Sequence, residues 1–362
     1  MQTIYRMSLL FLGLLFCLIP TAFAQDECPS AQWRIDGDCQ SLDNLSLSAS
    51  EWHSIDPGGD TRCAHDTEYR FWIHPGNDNL LVFFQGGGGC WDEASCRAGS
   101  GFYKESVGSN EPQFSYRQGI FDFDNPDNPF TDYTMIFVPS CTGDVYMGNG
   151  LVEYSDDVVI QHRGYANLKS AVDFAIQAMP EPESVFVTGC SAGSVGSSIA
   201  APYFIDAYPD TLVTQLGDSL ALIFDTPADM PALWKTTDFY TDALANANPP
   251  DLTAYTQAEY YMALGRAYPD HIFAQYNFQF DNVQQRYFAI GEADPRAFVG
   301  ENIPANMAMI AAETPNFRYY IGNGSSHCIM PTPYLYTVEV DSVPVLDWVW
   351  AVAQGQEVEN HQ

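Results

Sequence analysis

The amino-acid sequence predicts an α/β protein in which a mostly parallel central sheet is flanked by helices. Two buried-strand signatures, at 79–84 and 184–189, are runs of apolar and β-branched residues. Between them an amphipathic helix is predicted over 163–179, and Pro180 and Pro182 end it before the second strand. Because strand, helix and strand alternate, the strands are expected to run parallel with right-handed crossovers.

The first 24 residues are expected to be a cleavable signal peptide and not part of the fold. Arg6 is their only charged residue, 9–19 form an apolar core, and an Ala-Phe-Ala sequence predicts cleavage after Ala24. The apolar run is too short for a comfortable membrane span, so no stable membrane insertion is expected. The sequence therefore predicts a secreted or periplasmic protein.

The composition is strongly acidic, with 46 Asp and Glu against 14 Lys and Arg and a net charge of −32. Loss of the signal peptide would remove one Arg and no acid, which leaves −33. Such a charge excludes nucleic acid as a partner. The sequence does not indicate an oligomeric state.

Eight cysteines follow the signal peptide, and an even number in an exported protein predicts disulfides. Three of them are expected to tie down a polar N-terminal segment, 25–68. Cys90 and Cys96 could close a short loop, and Cys141 is the expected partner of Cys190, since both are predicted at the ends of neighbouring strands. No C-x-x-C or H-E-x-x-H spacing indicates zinc. The remaining organisation is predicted as a single catalytic domain, 69–352, and a polar tail, 353–362.

The strand at 79–84 runs into four consecutive glycines, 86–89. A backbone without side chains lets its amides approach a substrate oxygen, so this loop is interpreted as half of an oxyanion hole. A flexible linker is the alternative. A phosphate loop is disfavoured because the G-x-x-x-x-G-K-[ST] pattern is absent.

An acidic stretch at 121–129 precedes another predicted strand, 134–138. It faintly resembles a calcium loop but lacks the glycine of the sharp turn and the closing glutamate, so Asn-Pro turns are the better interpretation. Neither a metal nor a cofactor is expected.

The most informative stretch is 184–197, in which a strand enters a G-x-S-x-G turn followed by small, helix-compatible residues. This pattern is typical of a nucleophile elbow, with Ser191 at the turn and the Ala192 amide aimed at an oxyanion in front of it. The alternative is a Gly/Ser-rich loop. A GDSL tetrapeptide at 217–220 also matches an esterase signature, but it follows a complete elbow and is interpreted as coincidental.

Two further strands, 272–280 and 317–321, each precede a candidate catalytic residue. His327 follows the second strand on a Gly/Ser loop, where an α/β-hydrolase places its base. Asp281 follows the first, competes with Asp294 for the role of acid, and could instead be only a helix cap. The order Ser, acid, His is that of the α/β-hydrolase fold. Residues 226–270 are expected to form helices and loops over the sheet.

These motifs together resemble the pectin acetylesterase and Notum family of extracellular serine esterases. The resemblance is strongest between 81 and 327 and rests on GGGGC at 86–90 with Cys96, NPF at 128–130, VPSCTGDV at 138–145, GCSAG at 189–193, FDNVQ at 280–284, and His327. By this resemblance Ser191 is the nucleophile, Asp281 the acid and His327 the base. It also implies an oxyanion hole built from the amides of Gly87, Gly88 and Ala192. The chain departs from the family pattern where it has Gly88 for a tryptophan, Ser140 for a tyrosine and Tyr146 for a histidine.

The resulting hypothesis is a secreted serine esterase that deacetylates a polysaccharide through an acyl-enzyme. The substrate class is implied by the resemblance. The alternatives are a Notum-like carboxylesterase acting on lipid or acyl groups, and a non-catalytic secreted glycan-binding protein with the same fold.

Overall fold

A computed structural model describes residues 28–29, 31–49, 51–112, 116–221, 230–252 and 256–362. The signal peptide expected at 1–24 lies outside these residues. Within the described ranges, no helix is long and apolar enough to cross a membrane.

A ten-stranded sheet forms the centre of the molecule, in the order β12-β11-β10-β9-β5-β6-β4-β3-β1-β2. Its strands are β1 (Gln32–Ile35), β2 (Asp38–Ser41), β3 (His53–Asp56), β4 (Phe71–His74), β5 (Asn77–Phe84), β6 (Tyr133–Val138), β9 (Ser184–Cys190), β10 (Leu212–Asp218), β11 (Phe273–Phe278) and β12 (Phe317–Gly322). Two hairpins stand apart from it, β7 (Gly150–Ser155) with β8 (Val158–His162) and β13 (Glu339–Val340) with β14 (Val343–Pro344).

The part of the sheet from β6 to β12 is parallel, as the alternation of strands and helices predicts. The strands expected from apolar runs in the sequence are all present within one or two residues. On the other side of β6, the strands β4, β3, β1 and β2 pair antiparallel. The N-terminal segment 25–68 thus supplies three strands of the main sheet. At the opposite edge the C-terminal tail pairs with β12, where the Ile321 amide donates to the His361 carbonyl at 2.8 Å.

Helices cover both faces of the sheet. They are α1 (Glu93–Cys96), α2 (Gly164–Ala178), α3 (Ala192–Ala207), α4 (Met230–Leu233), α5 (Asp242–Ala245), α6 (Gln257–Ala267), α7 (Asn282–Phe288), α8 (Pro295–Glu313) and α9 (Val345–Ala353). Successive residues of β5 point to opposite faces of the sheet. Val82 packs in the cluster that contains α2, α3, α6 and α8, and Phe83 packs in the cluster that contains α9. Burial on both faces explains why the central strands are continuous apolar runs.

Four disulfides are present, and they join Cys28 to Cys39, Cys63 to Cys141, Cys90 to Cys96 and Cys190 to Cys328. The expected Cys90–Cys96 bridge and the tie of the N-terminal segment are confirmed. The expected pairing of Cys190 with Cys141 is wrong. Cys190 is the last residue of β9 and Cys141 lies just beyond β6, and β5 lies between those two strands. Two strand spacings separate them by about 9.5 Å, which is too far for a disulfide.

Candidate active site

Ser191 occupies the turn between β9 and α3 in a strained backbone conformation. Its φ is 57° and its ψ is −124°, a region that non-glycine residues rarely adopt. The glycines on either side make the turn possible. A Cβ on Gly189 would lie 2.2 Å from the Gly193 carbonyl oxygen, and one on Gly193 would lie 2.0 Å from the Phe84 carbonyl oxygen. The turn therefore has the form of a nucleophile elbow, with the serine side chain partly exposed.

Asp281 and His327 form a hydrogen-bonded pair at the ends of β11 and β12. His327 Nδ1 lies 2.7 Å from Asp281 Oδ2, and the aspartate side chain is fully buried. Asp281 also caps α7, since its Oδ1 accepts from the Val283 amide at 2.8 Å and the Gln284 amide at 3.0 Å. A carboxylate can only accept hydrogen bonds, so the bond between His327 and Asp281 is donated by the Nδ1–H group of the imidazole. The neutral imidazole then carries its lone pair on Nε2. Among the described residues, no group hydrogen-bonds to the buried Nε2.

The Cys190–Cys328 disulfide brings the serine and the histidine together. One sulfur belongs to the residue before Ser191 and the other to the residue after His327, and the two Cα atoms are 5.7 Å apart. A ring nitrogen of His327 lies within 4.8 Å of both sulfurs. The covalent bridge thus limits how far the imidazole can move from the elbow.

The glycine loop that follows β5 packs directly against this elbow. A Cβ placed on Gly86 would lie 2.9 Å from the Cβ of Ser191. The amides of Gly87, Gly88 and Ala192 have no acceptor among the described residues, and Ala192 begins α3, where helix amides are unpaired. Free amides from a loop and a helix N-terminus beside a serine can stabilise an oxyanion.

A polar network braces the loop from behind. The Lys104 amide donates to the Gly87 carbonyl at 2.8 Å. The Lys104 ammonium lies 2.8 Å from the Glu111 carboxylate and 3.0 Å from Gln85 Oε1. Burial lowers the pKa of Lys104, and Glu111 opposes that shift. On the outer side the Tyr287 hydroxyl bonds the Phe102 carbonyl and lies 2.6 Å from the position of a Gly88 Cβ. The loop is held on both sides and is not a free linker.

Asp294 and Ser219 of the GDSL tetrapeptide have other roles in the structure. Asp294 is exposed and caps α8, where it accepts from the Ala297 amide at 3.0 Å. Its surrounding segment, which could have been a strand, contains the end of α7 and the start of α8. Ser219 of the GDSL tetrapeptide is fully buried, so its hydroxyl does not face solvent. Its hydroxyl accepts from the Cys328 amide, next to His327, a contact that the sequence does not predict.

The acidic stretch 121–129 forms turns. Asn128 Nδ2 donates to the carbonyls of Ile120 and Asp122 at 3.0 Å, and its Oδ1 accepts from the Phe130 amide at 3.1 Å. Within the described residues, two clusters have the ligand types of a metal site, but each contains a disulfide. Oxidised cysteines do not supply thiolate ligands.

The fold and the Ser191, His327 and Asp281 cluster at the ends of parallel strands define an α/β-hydrolase-like protein. The fold is similar to that of the Wnt deacylase Notum from Drosophila. One crystal form superposes with a TM-score of 0.60 at 17% identity, covering 83% of this chain and 92% of Notum. A second gives 0.57 at 15% identity, covering 83% and 93%.

The profile of the pectinacetylesterase family matches residues 59–286, and the chain belongs to that family. Pectin acetylesterase 5 of Arabidopsis thaliana is 29% identical over 136 residues, which cover 37% of this chain and 32% of the relative. Pectin acetylesterase 7 of the same plant is 30% identical over 139 residues, 38% of this chain and 35% of the relative. The alignments thus span about a third of each relative's length.

Proposed function

We propose that the protein is a secreted serine esterase that removes acetyl groups from a polysaccharide through an acyl-enzyme, with residues 69–352 as its catalytic domain. The observation that carries the proposal is the orientation of His327. Its Nδ1 is held by Asp281 at 2.7 Å, and its buried Nε2 is unpaired beside the strained Ser191 turn. Membership of the pectinacetylesterase family supports ester chemistry at this site.

In the proposed acylation step, Ser191 Oγ attacks the ester carbonyl carbon as His327 Nε2 takes the hydroxyl proton. Asp281 stabilises the imidazolium through the bond to Nδ1. The amides of Gly87, Gly88 and Ala192 bind the developing oxyanion. The tetrahedral intermediate collapses with cleavage of the bond to the alcohol oxygen, which leaves with the proton from Nε2.

Deacylation repeats these steps with water as the nucleophile. His327 takes a proton from water, the hydroxide attacks the acyl carbon, and Ser191 leaves with the proton. The products are the free acid and the free alcohol, and no cofactor is consumed.

The charge of the protein bears on which polysaccharide it uses. At −33 without its signal peptide, the protein would be steered away from an anionic pectin at low ionic strength, whereas a neutral acetylated glycan would meet no such barrier. The related plant proteins are called pectin acetylesterases. The charge of this chain favours a neutral acetylated glycan over pectin as its substrate.

The test has two stages. Turnover of p-nitrophenyl acetate by the purified protein is expected, and its absence would favour the non-catalytic glycan-binding alternative. Acetate release is then measured from acetylated xylan, acetylated mannan and acetylated pectin at low and high salt, with p-nitrophenyl esters of increasing chain length alongside. Release from at least one glycan is expected. Rates that rise steeply with acyl length and no release from any glycan would favour the Notum-like alternative.

A further inference from the structure

The GDSL tetrapeptide ends β10, the strand between the one that leads to Ser191 and the one that leads to Asp281. Its Asp218 is fully buried. Asp218 Oδ2 accepts from the amides of Ile329 and Met330 at 2.8 and 2.9 Å. The Ser219 hydroxyl donates to Asp218 Oδ1 at 2.9 Å and accepts from the Cys328 amide at 2.9 Å. The three amides that follow His327 are therefore all bound by this one pair of residues.

The same two residues also hydrogen-bond to the turn after β9 and to β11. The Asp218 carbonyl accepts from the Ser191 amide at 2.7 Å, directly at the strained turn. The Ser219 amide donates to the Tyr276 carbonyl at 2.7 Å, in β11 shortly before Asp281. Asp218 and Ser219 thus contact the nucleophile turn, the strand of the acid and the loop of the base at once.

We propose that Asp218, together with Ser219, is a positioning residue that holds His327 between Ser191 and Asp281. The proposal rests on the proposed esterase function. The disulfide to Cys190 restrains Cys328, but the direction in which the chain leaves His327 depends on the amides of 328–330, and these are the groups that Asp218 and Ser219 bind.

The hydrogen bonds to residues 328–330 also compensate the burial of Asp218. A carboxyl group in the core is costly without such partners, and burial raises the pKa of Asp218 to about 6. The bonds from Met330, Ser219 and Ile329 and the charge of His327 oppose that shift. Tyr276 also lies near Asp218, and its pKa is raised first by burial and then by Asp218.

The test compares Asp218→Asn with the wild type on p-nitrophenyl acetate. The amide keeps the size of the side chain but removes the charge and replaces one acceptor oxygen with a donor. We expect kcat to fall about 10- to 100-fold, which is the loss of a charged buried hydrogen bond, with KM nearly unchanged. The loss should appear in kcat and not in KM, because the groups that bind the ester are unchanged and only the direction of the imidazole is lost.

Asp144→Asn is the matched control. Asp144 is also fully buried, its pKa is also raised by burial to about 6, and it also accepts three hydrogen bonds, from Thr142, Tyr146 and Gly164. None of these partners belongs to residues 328–330. Replacing Asp144 should therefore leave kcat of the folded protein within about threefold of the wild type. If Asp218→Asn does not fold, Ser219→Ala removes only the bond to Cys328 and the donor to Asp218, and it should lower kcat about fivefold with KM unchanged.

A folded Asp218→Asn protein with wild-type kcat, or with a loss that lies in KM, would overturn the proposal. An equal loss of kcat in folded Asp144→Asn would also overturn it, because the effect would then not be specific to residues 328–330. Failure of the esterase function itself is recognised separately, since the wild-type protein would then not hydrolyse p-nitrophenyl acetate.

Discussion

Replacing Gly88 with alanine is expected to damage the proposed oxyanion hole, and replacing its neighbour Gly89 is not. Gly88 has a φ of +67°, and a Cβ there would lie 2.0 Å from the carbonyl oxygen of Phe102, a backbone atom. At Gly89 the nearest atom would be the Gly143 oxygen at 3.6 Å, an ordinary contact. The Gly89 amide already donates to Phe102, so it is not an oxyanion donor.

The magnitude follows from these distances. Real Cβ contacts essentially never fall below 3.0 Å, so the loop or the Phe102 carbonyl must move by about 1 Å. An oxyanion donor acts at about 2.7–3.1 Å, and a shift of this size breaks the bond. Loss of one donor costs about 2.7–4 kcal/mol in the transition state, a fall of about 10²–10³ in kcat. The left-handed conformation adds about 1–2 kcal/mol of lost stability for alanine.

The assay is kcat on p-nitrophenyl acetate for Gly88→Ala and Gly89→Ala, with the folded fraction taken from urea denaturation. We expect Gly88→Ala to be folded but slow and Gly89→Ala to have a kcat within about threefold of wild type. A folded Gly88→Ala protein with normal kcat would refute the assignment of this amide.

Three further predictions concern the acid, the disulfides and a buried carboxylate. Asp281→Asn should keep the cap of α7 and lose about 10⁴ in kcat, whereas Asp294→Asn should keep activity; the reverse result would move the acid to the exposed cap of α8. Removing either the 190–328 or the 63–141 disulfide by paired alanine substitution should cost about 2–5 kcal/mol in the free energy of unfolding. Only loss of the 190–328 bridge should also lower kcat of the folded protein, because this bridge flanks Ser191 and His327. An equal loss of kcat in both would show that the first bridge has no special role. Burial raises the pKa of Asp144 from 3.8 to about 6, so the stabilisation by the neutral carboxyl group is present below pH 4 and is lost as the pH rises through 6. Between pH 4 and pH 7 the wild type should therefore lose up to about 3 kcal/mol in the free energy of unfolding relative to Asp144→Asn. A difference between the two proteins that is constant with pH would contradict this.

The sequence predicted the parallel part of the sheet well because each of its strands is marked locally. Apolar runs, proline stops and the G-x-S-x-G turn depend only on neighbouring residues, so β5, α2, β9 and α3 could be located without knowing the rest of the fold. The positions of Asp281 and His327 at strand ends followed from the same local reading.

The sequence did not predict what depends on the order of strands in space. Cys141 and Cys190 both follow buried strands, but nothing local says that β5 lies between those strands. The strands β1, β2 and β3 are four residues long each, which is too short for a period-two pattern to stand out in the sequence. The N-terminal segment could therefore not be recognised as part of the sheet.

The contacts of the GDSL tetrapeptide could not be predicted for a similar reason. From the sequence alone its match to an esterase signature is interpreted as coincidental, and no local pattern indicates which residues it contacts. Its contacts are with residues more than a hundred positions away in the chain, at 328–330. The local signal is an aspartate, Asp218, that follows an apolar and β-branched stretch between Ser191 and Asp281 in the chain.

The measurement that tests the proposed chemistry most directly is labelling with a serine-reactive organophosphonate, followed by peptide mapping. Ser191 is partly exposed on a strained turn beside an unpaired histidine nitrogen, whereas Ser219 is buried. We expect one label per molecule on Ser191, loss of esterase activity in proportion to labelling, and neither labelling nor activity in Ser191→Ala. A label on Ser219, or a Ser191→Ala protein that still hydrolyses p-nitrophenyl acetate at the wild-type rate, would contradict the assignment of Ser191 as the nucleophile.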